Sequence, residues 1–262
     1  MVDLMIHTPT GQRTGYDSVC RVPVPQSTDS YRPVSNHDLI GLIRSKIDTI
    51  LDMEIMSEQY GLGQKGQQLF GVITLRSPTQ DNKDNGLSIG FRNSYNKSLS
   101  VGIASGARVF VCDNLCFSGS SMVVMRKHTQ NVWDDLTGHI EDALFSSHSH
   151  YASLESQIEQ MKQAELTHDD GYSIIGRAQG HGILLPRQAK VAFKDWDKPR
   201  HKSFAAKNLW SLYNCFTEGL KLGQTGTVLR RHIKAHSFFA PMLEPVNDAP
   251  QFVYATDPEL ED

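Results

Sequence analysis

The chain has 262 residues and a formal net charge of −3, with 39% hydrophobic and 21% charged residues. This is the balance of an ordinary globular protein, long enough to bury a core without disulfides or a structural metal. It excludes a protein coated in positive charge, although not a local basic groove, and no window approaches the ~18 consecutive apolar residues of a transmembrane span.

Residues 1–34 are rich in Pro, Gly, Ser and Thr and read as an extended arm or a set of edge segments. They carry neither the basic start nor the apolar run of a signal peptide. The four cysteines, Cys20, Cys112, Cys116 and Cys215, are scattered, so reduced thiols in a cytoplasm-like compartment are expected. Ser35 with Asp38 resembles a capping box, and Leu39, Ile40, Ile43, Ile47, Ile50 and Leu51 form a helical stripe, which predicts a helix over 35–52. QQLFGVITLRS (67–77) reads as a buried strand. After a polar loop, LSIGFR, SLSVGIAS, ARVFVCDN and SMVVMRKHT follow as closely spaced strands of an antiparallel meander within 67–127. Residues 132–167 have helical spacing, with a possible break at SSHSH. Residues 207–222 form an amphipathic helix, VLRRHIKAH (228–236) is basic and helical, and 246–262 is an acidic, Pro-punctuated tail. The expected architecture is α+β: one domain over 35–245, its meander packed by helices mainly on one face, with the other face open and carrying Arg and Tyr.

Catalytic motifs are missing. There is no phosphate-cradling GxxxxGK[ST] loop, no G-x-S-x-G and no H-E-x-x-H. GLGQKGQ (61–67) is Gly-rich but lacks the strand-before, helix-after setting of a nucleotide loop. Cys112 and Cys116 form C-x3-C without the second pair that zinc requires. His148, His150, His168 and Asp169 could ligate a cation in a metal-dependent nuclease or phosphohydrolase. The simpler reading is that SSHSH interrupts a helix surface and HDDG follows a helix end. No metal and no cofactor are expected.

Between Ser88 and His128 lie Arg92, Lys97, Arg108, Arg126 and Lys127 against one acid, Asp113, a local balance of +4. Aromatic residues are interleaved with these cations. Such a surface suits a single strand of nucleic acid, because cations follow phosphates and rings stack on bases. An ordinary sheet with basic strand ends is the competing reading. RAQGHGILLPRQAK (177–190), with Arg177, His181, Arg187 and Lys190, and VLRRHIKAH, with Arg230 and Arg231, are two further basic stretches.

The run FGVITLRSPTQDNKDNGLSIGFRNSYNKSLSVGIASGARVFVCDNLCFSG, with VVMRKHT after it, resembles the phage- and plasmid-borne family called domain of unknown function 932. Its signature is a strand ending in R-N-S-Y-[ND]-K-S, then V-G-I-A-x-G, then V-F-V-C-D-N-L-x-F-S-G and R-K-H-T. The resemblance covers about 35–245 and implies a setting in mobile elements and their bacterial hosts. A meander followed by a long helix is also similar in architecture to Rad52/RecT-like single-strand annealing proteins. The reading is therefore a homo-oligomeric protein that binds or anneals single-stranded nucleic acid, DNA in the first place, without ATP and away from membranes. Arg92, Asn93, Tyr95 and Lys97 are the first expected contacts, followed by Arg108, Arg126 and Lys127, then Arg230 and Arg231. The alternatives are the metal-dependent enzyme and a counter-defence protein that binds a host protein or signalling nucleotide.

Overall fold

The computed structural model describes residues 11–51, 53–76, 85–109, 114–116, 124–126, 128, 132–224 and 227–243. The architecture is α+β. The strands are β1 (Gly11–Thr14), β2 (Glu54–Gly63), β3 (Gln68–Arg76), β4 (Asn85–Ser94), β5 (Val101–Val109), β6 (Asn114–Cys116) and β7 (Val124–Arg126). They form one antiparallel sheet in the order β1-β2-β3-β4-β5-β6. β7 shares the outer edge of β5 with β6: Val101–Ile103 pair with β7 and Ala107–Val109 with β6. The helices are α1 (Tyr16–Cys20), α2 (Asn36–Ile50), α3 (Val132–Gln163), α4 (His168–Gly180), α5 (Pro186–Asp197), α6 (Leu209–Leu220) and α7 (Val228–Phe239).

α1 and α2 lie between β1 and β2, whereas from β2 to β5 each strand meets the next through a short connection. GLGQKGQ is one of these: it closes the β2–β3 hairpin, with Gln64, Lys65 and Gly66 all at positive φ. β2 itself was not foreseen. Its sequence EIMSEQYGLG is polar and Gly-punctuated, and its outer half is exposed. A register shift between Ile55 and Ser57 leaves Met56 as a bulge. Part of the expected N-terminal arm belongs to the domain. β1 pairs with β2, and Val19, Tyr31 and Val34 are buried. The acidic segment 246–262 lies outside the described residues.

One sheet face presents Tyr60, Leu69, Ile73, Leu87, Ile89, Phe91 and Ile103 to the helices in a single core. Gly71 lies opposite Phe91, whose ring occupies the space that a side chain at 71 would need. Ser35 caps α2 by accepting from Asp38 N (3.3 Å), as the sequence predicts, and Leu39, Ile40, Ile43 and Ile47 face inward. Arg44 anchors α2 to the sheet with two bonds to Glu58 (2.7 and 2.5 Å), and its guanidinium lies 4.1 Å from the Tyr16 ring centre. Burial would raise the Glu58 carboxyl, but the bonds from Arg44 and Tyr60 outweigh it and hold the carboxyl low.

α3 runs unbroken through SSHSH. Ser146, Ser147 and Ser149 return their hydroxyls to carbonyls three or four residues back, so the polar run satisfies itself along the helix. The helix packs on β5, β7 and α2. Beyond it, α4 to α7 form a helical layer in which α6 is buried on nearly every side.

Candidate nucleic-acid interface

The expected sheet contacts are mostly interior. Arg92 is 5% exposed, Asn93 0% and Tyr95 5%. Asn93 Nδ2 donates to Val34 O (2.7 Å) and Asn36 Oδ1 (2.8 Å), and its Oδ1 accepts from Ser94 N (2.9 Å). The Tyr95 hydroxyl accepts from Asn36 N (2.9 Å), while the Tyr95 carbonyl accepts from Tyr31 OH (3.1 Å). Ser94 Oγ closes the turn by bonding Leu99 in both directions (2.9 and 3.0 Å). The N-S-Y run is thus a clasp that ties the β4–β5 turn to the start of α2. Burial raises the Tyr95 phenol, consistent with that interior place. Lys97 is exposed at φ 62°, its ammonium 4.5 Å from the Tyr31 ring centre. A single-strand platform at this turn would have Lys97 to offer and no free ring beside it.

The small residues of the opening strands have a geometric explanation. On the face away from the main core, Gly61, Phe70, Arg92 and Gly102 line up across β2 to β5. Beside them run Gln59, Val72, Gly90 and Ala104, then Ser57, Thr74, Ser88 and Gly106. Phe70, Val72, Thr74, Ser88 and Ala104 are all buried, so this face is not the open surface expected from an antiparallel meander. Ser88 Oγ and Gln59 Oε1 are buried with no hydrogen-bond partner. Arg108 lies in β5 opposite Gly86, and Arg126 in β7 opposite Val101. Their side chains, and Lys127 altogether, lie outside the described residues.

The two later basic stretches meet in space. α5 and α7 both pack on α6, which brings Arg187 at the start of α5 to Arg230 and Arg231 at the start of α7. Arg187 is exposed and donates to Leu222 O (2.8 Å) at the end of α6. Arg231 is half-buried. Burial depresses its pKa, and the charges of Arg230 and Arg187 depress it further. Among the described residues, no carboxylate forms an ion pair with Arg187 or Arg231. Lys190, Lys194 and Lys234 extend the exposed charge along the same two helices.

Two glycines flank α5 and α6 here. Gly182, at φ 67°, turns the chain between α4 and α5. Gly223 follows the end of α6, and a methyl there would crowd Leu220 O at 3.0 Å, with Arg231 Cδ at 3.7 Å and Gln188 Nε2 at 3.8 Å. Gln188 is 0% exposed. Its Oε1 accepts from Leu185 N (2.8 Å), but its Nε2 has no hydrogen-bond partner. Sequence reading passed over Gln188 and Gly223. The signal available was the run Gly223–Thr227, GQTGT, directly before a basic helix.

The residues of the metal-enzyme alternative are dispersed. His150 sits in α3, about 20 Å along the helix from its C-terminus at 1.5 Å per residue. His168 begins α4, where its ring meets Asp197 Oδ1 (3.1 Å) and Tyr172 OH (3.3 Å). HDDG therefore follows the end of α3, as expected, and also opens α4. Asp170 forms a capping box with Thr167, whose bonds lower its carboxyl. The His148 side chain lies outside the described residues, and among those described no three His, Cys, Asp or Glu side chains are grouped to hold a metal. Cys116 lies in β6 opposite Ala107, while Cys112 is outside the described residues. Cys215 is free and buried, its thiol pushed up to about 12 by burial. Among the described residues no helix is long and apolar enough to cross a membrane.

No curated protein and no solved structure matches the chain. A family model does, over residues 26–238, a span that takes in the Asn93–Tyr95 clasp and the Arg187–Arg231 corner alike. The chain belongs to the family described as Domain of unknown function (DUF932).

Proposed function

We propose that this protein binds nucleic acid, single-stranded DNA in the first place, through phosphates held by the helical corner of Arg187, Arg230 and Arg231. One observation carries the reading: a half-buried arginine stands beside two others, with no carboxylate in its ion-pairing range among the described residues. Packed like charges are costly, and a polyanion relieves that cost while releasing its own counterions. The exposed lysines of α5 and α7 lengthen the track. Within this reading the protein works without ATP in a bacterial cytoplasm and handles the strands of mobile elements as a homo-oligomer, annealing or protecting them.

The test is anisotropy of labelled single- and double-stranded oligonucleotides across a salt series. The Arg187→Ala, Arg231→Ala double variant should lower the slope of log affinity against log salt by roughly 0.7 per lost contact on single strands. Light scattering with and without oligonucleotide reads the assembly. Failure to bind any oligonucleotide at low salt, or a slope untouched by the double variant, removes the proposal.

A further inference from the structure

We infer that the exposed aromatic pair Tyr172 and Phe193, where α4 meets α5, is a stacking platform for an unpaired base of the strand whose phosphates lie along α5. The inference rests on the nucleic-acid reading and deepens it, because it names what tells a single strand from a duplex.

The platform stands on a fixed seat. Gly171 of α4 has no side chain, and the Trp196 ring of α5 fills the place where one would begin. Trp196 Nε1 donates to His168 O (3.0 Å), so the two helices are joined closely at this end. The Tyr172 and Phe193 rings lie 5.8 Å apart, tilted by 44°. The Tyr172 hydroxyl donates to Asp197, and the His168 ring stands edge-on to Tyr172 at 4.8 Å. Tyr172 is nonetheless 37% exposed, and Phe193 is only partly buried. Rings already held at a surface lose little freedom when a base stacks on them.

Charge places the backbone of the strand. At 3.6 residues per turn, Lys190 stands about 60° and Lys194 about 100° round α5 from Phe193, on the flank away from Tyr172. Both lysines are exposed. On a helix about 10–12 Å across, their positions are roughly 5–9 Å from that of the ring, about the reach from a phosphate to its own base. Arg187 continues the same flank toward the Arg231 corner, so the three cations span about 10 Å along the axis. Asp169 and Asp197 border Tyr172, and their charge keeps phosphates off the rings themselves. A single strand meets both demands, with phosphates on the cationic flank and a base turned to the rings. A duplex keeps its bases in its own stack and offers only phosphates.

The experiment compares a single strand with the same strand made abasic at alternate positions, which keeps every phosphate. The natural chain should bind the intact strand about tenfold more tightly, with the same salt slope for both. In the Tyr172→Leu, Phe193→Leu double variant that advantage should fall below about twofold. A melting curve establishes that this variant is folded. If it is not, irradiating the natural chain on a strand that carries 5-iodouracil supplies a second reading, and crosslinks should map to Tyr172 or Phe193. Equal binding of intact and abasic strands overturns the platform and leaves the phosphate reading standing. An advantage that survives in the folded double variant, or crosslinks that miss both residues, also overturns it. If no strand binds, both fall.

Discussion

The β4–β5 turn and the α5–α7 corner carry similar residues in sequence and opposite fates in structure. At the turn, Asn93 and Tyr95 are interior and bonded to Val34 and Asn36, so their polarity is consumed by the fold. At the corner, Arg187 and Arg231 have no acidic partner among the described residues and an unpartnered amide stands next to them. Polar groups that complete one another stabilise a fold, whereas those left incomplete point to something outside it. Local density of Arg, Asn and Tyr does not distinguish the two cases. Their partners do.

The largest expected effect tests the turn. Asn93→Ala strips three bonds from buried groups and should cost about 4 kcal/mol of stability, read from urea unfolding, with the salt slope of oligonucleotide binding unchanged. A folded, fully stable variant with weakened binding would reverse the comparison. His236 offers the next test, on the buried side of the helix that carries Arg231. Burial lowers its pKa to about 4, below the ordinary 6.5. The folded state therefore binds fewer protons than the unfolded chain between those values. Its contribution to stability is whole above pH 6.5 and declines as pH falls toward 4, by roughly 3 kcal/mol at most. In His236→Gln the urea midpoint should fall less between pH 7 and 5 than in the natural chain, and an identical fall would show that other groups govern the acid response.

A smaller effect belongs to Tyr95→Phe, which removes the acceptor for Asn36 N and should cost about 1 kcal/mol while leaving base stacking capacity intact. Lost oligonucleotide affinity there would make the hydroxyl functional. Lys97 comes last. It is exposed and holds a positive φ, so Lys97→Gly should change stability by no more than about 0.5 kcal/mol. If that one change reduces the salt slope, the turn shares the strand with the corner.

Much of the fold was legible because its signals are local. Ser35 with Asp38 announces α2, and alternation with short turns announces β3, β4 and β5. β2 was not legible: EIMSEQYGLG has little apolar alternation because its first half is exposed. SSHSH looked like a break because serine usually competes with helix, yet here the hydroxyls turn back on the helix itself. The corner could be read only in pieces. Arg187 and Arg231 lie on different helices, and nothing within either stretch says that α6 brings both to one end. Gln188 carries no signature at all, since a buried unpartnered amide is a property of its neighbours.

The bulge at Met56 bears on open-ended pairing of sheet edges between copies. β1 occupies β2 only over Tyr60–Gly63, and among the described residues no strand covers the edge from Glu54 to Gln59. Ile55 and Met56 are exposed there. A flat edge with apolar side chains is a template for adding strands without limit, and an extra residue that twists the edge spoils the template. Deleting Met56 would restore regular pairing with β3 and lengthen the straight edge. The shortened chain should then show turbidity on warming, at protein concentrations where the natural chain stays clear.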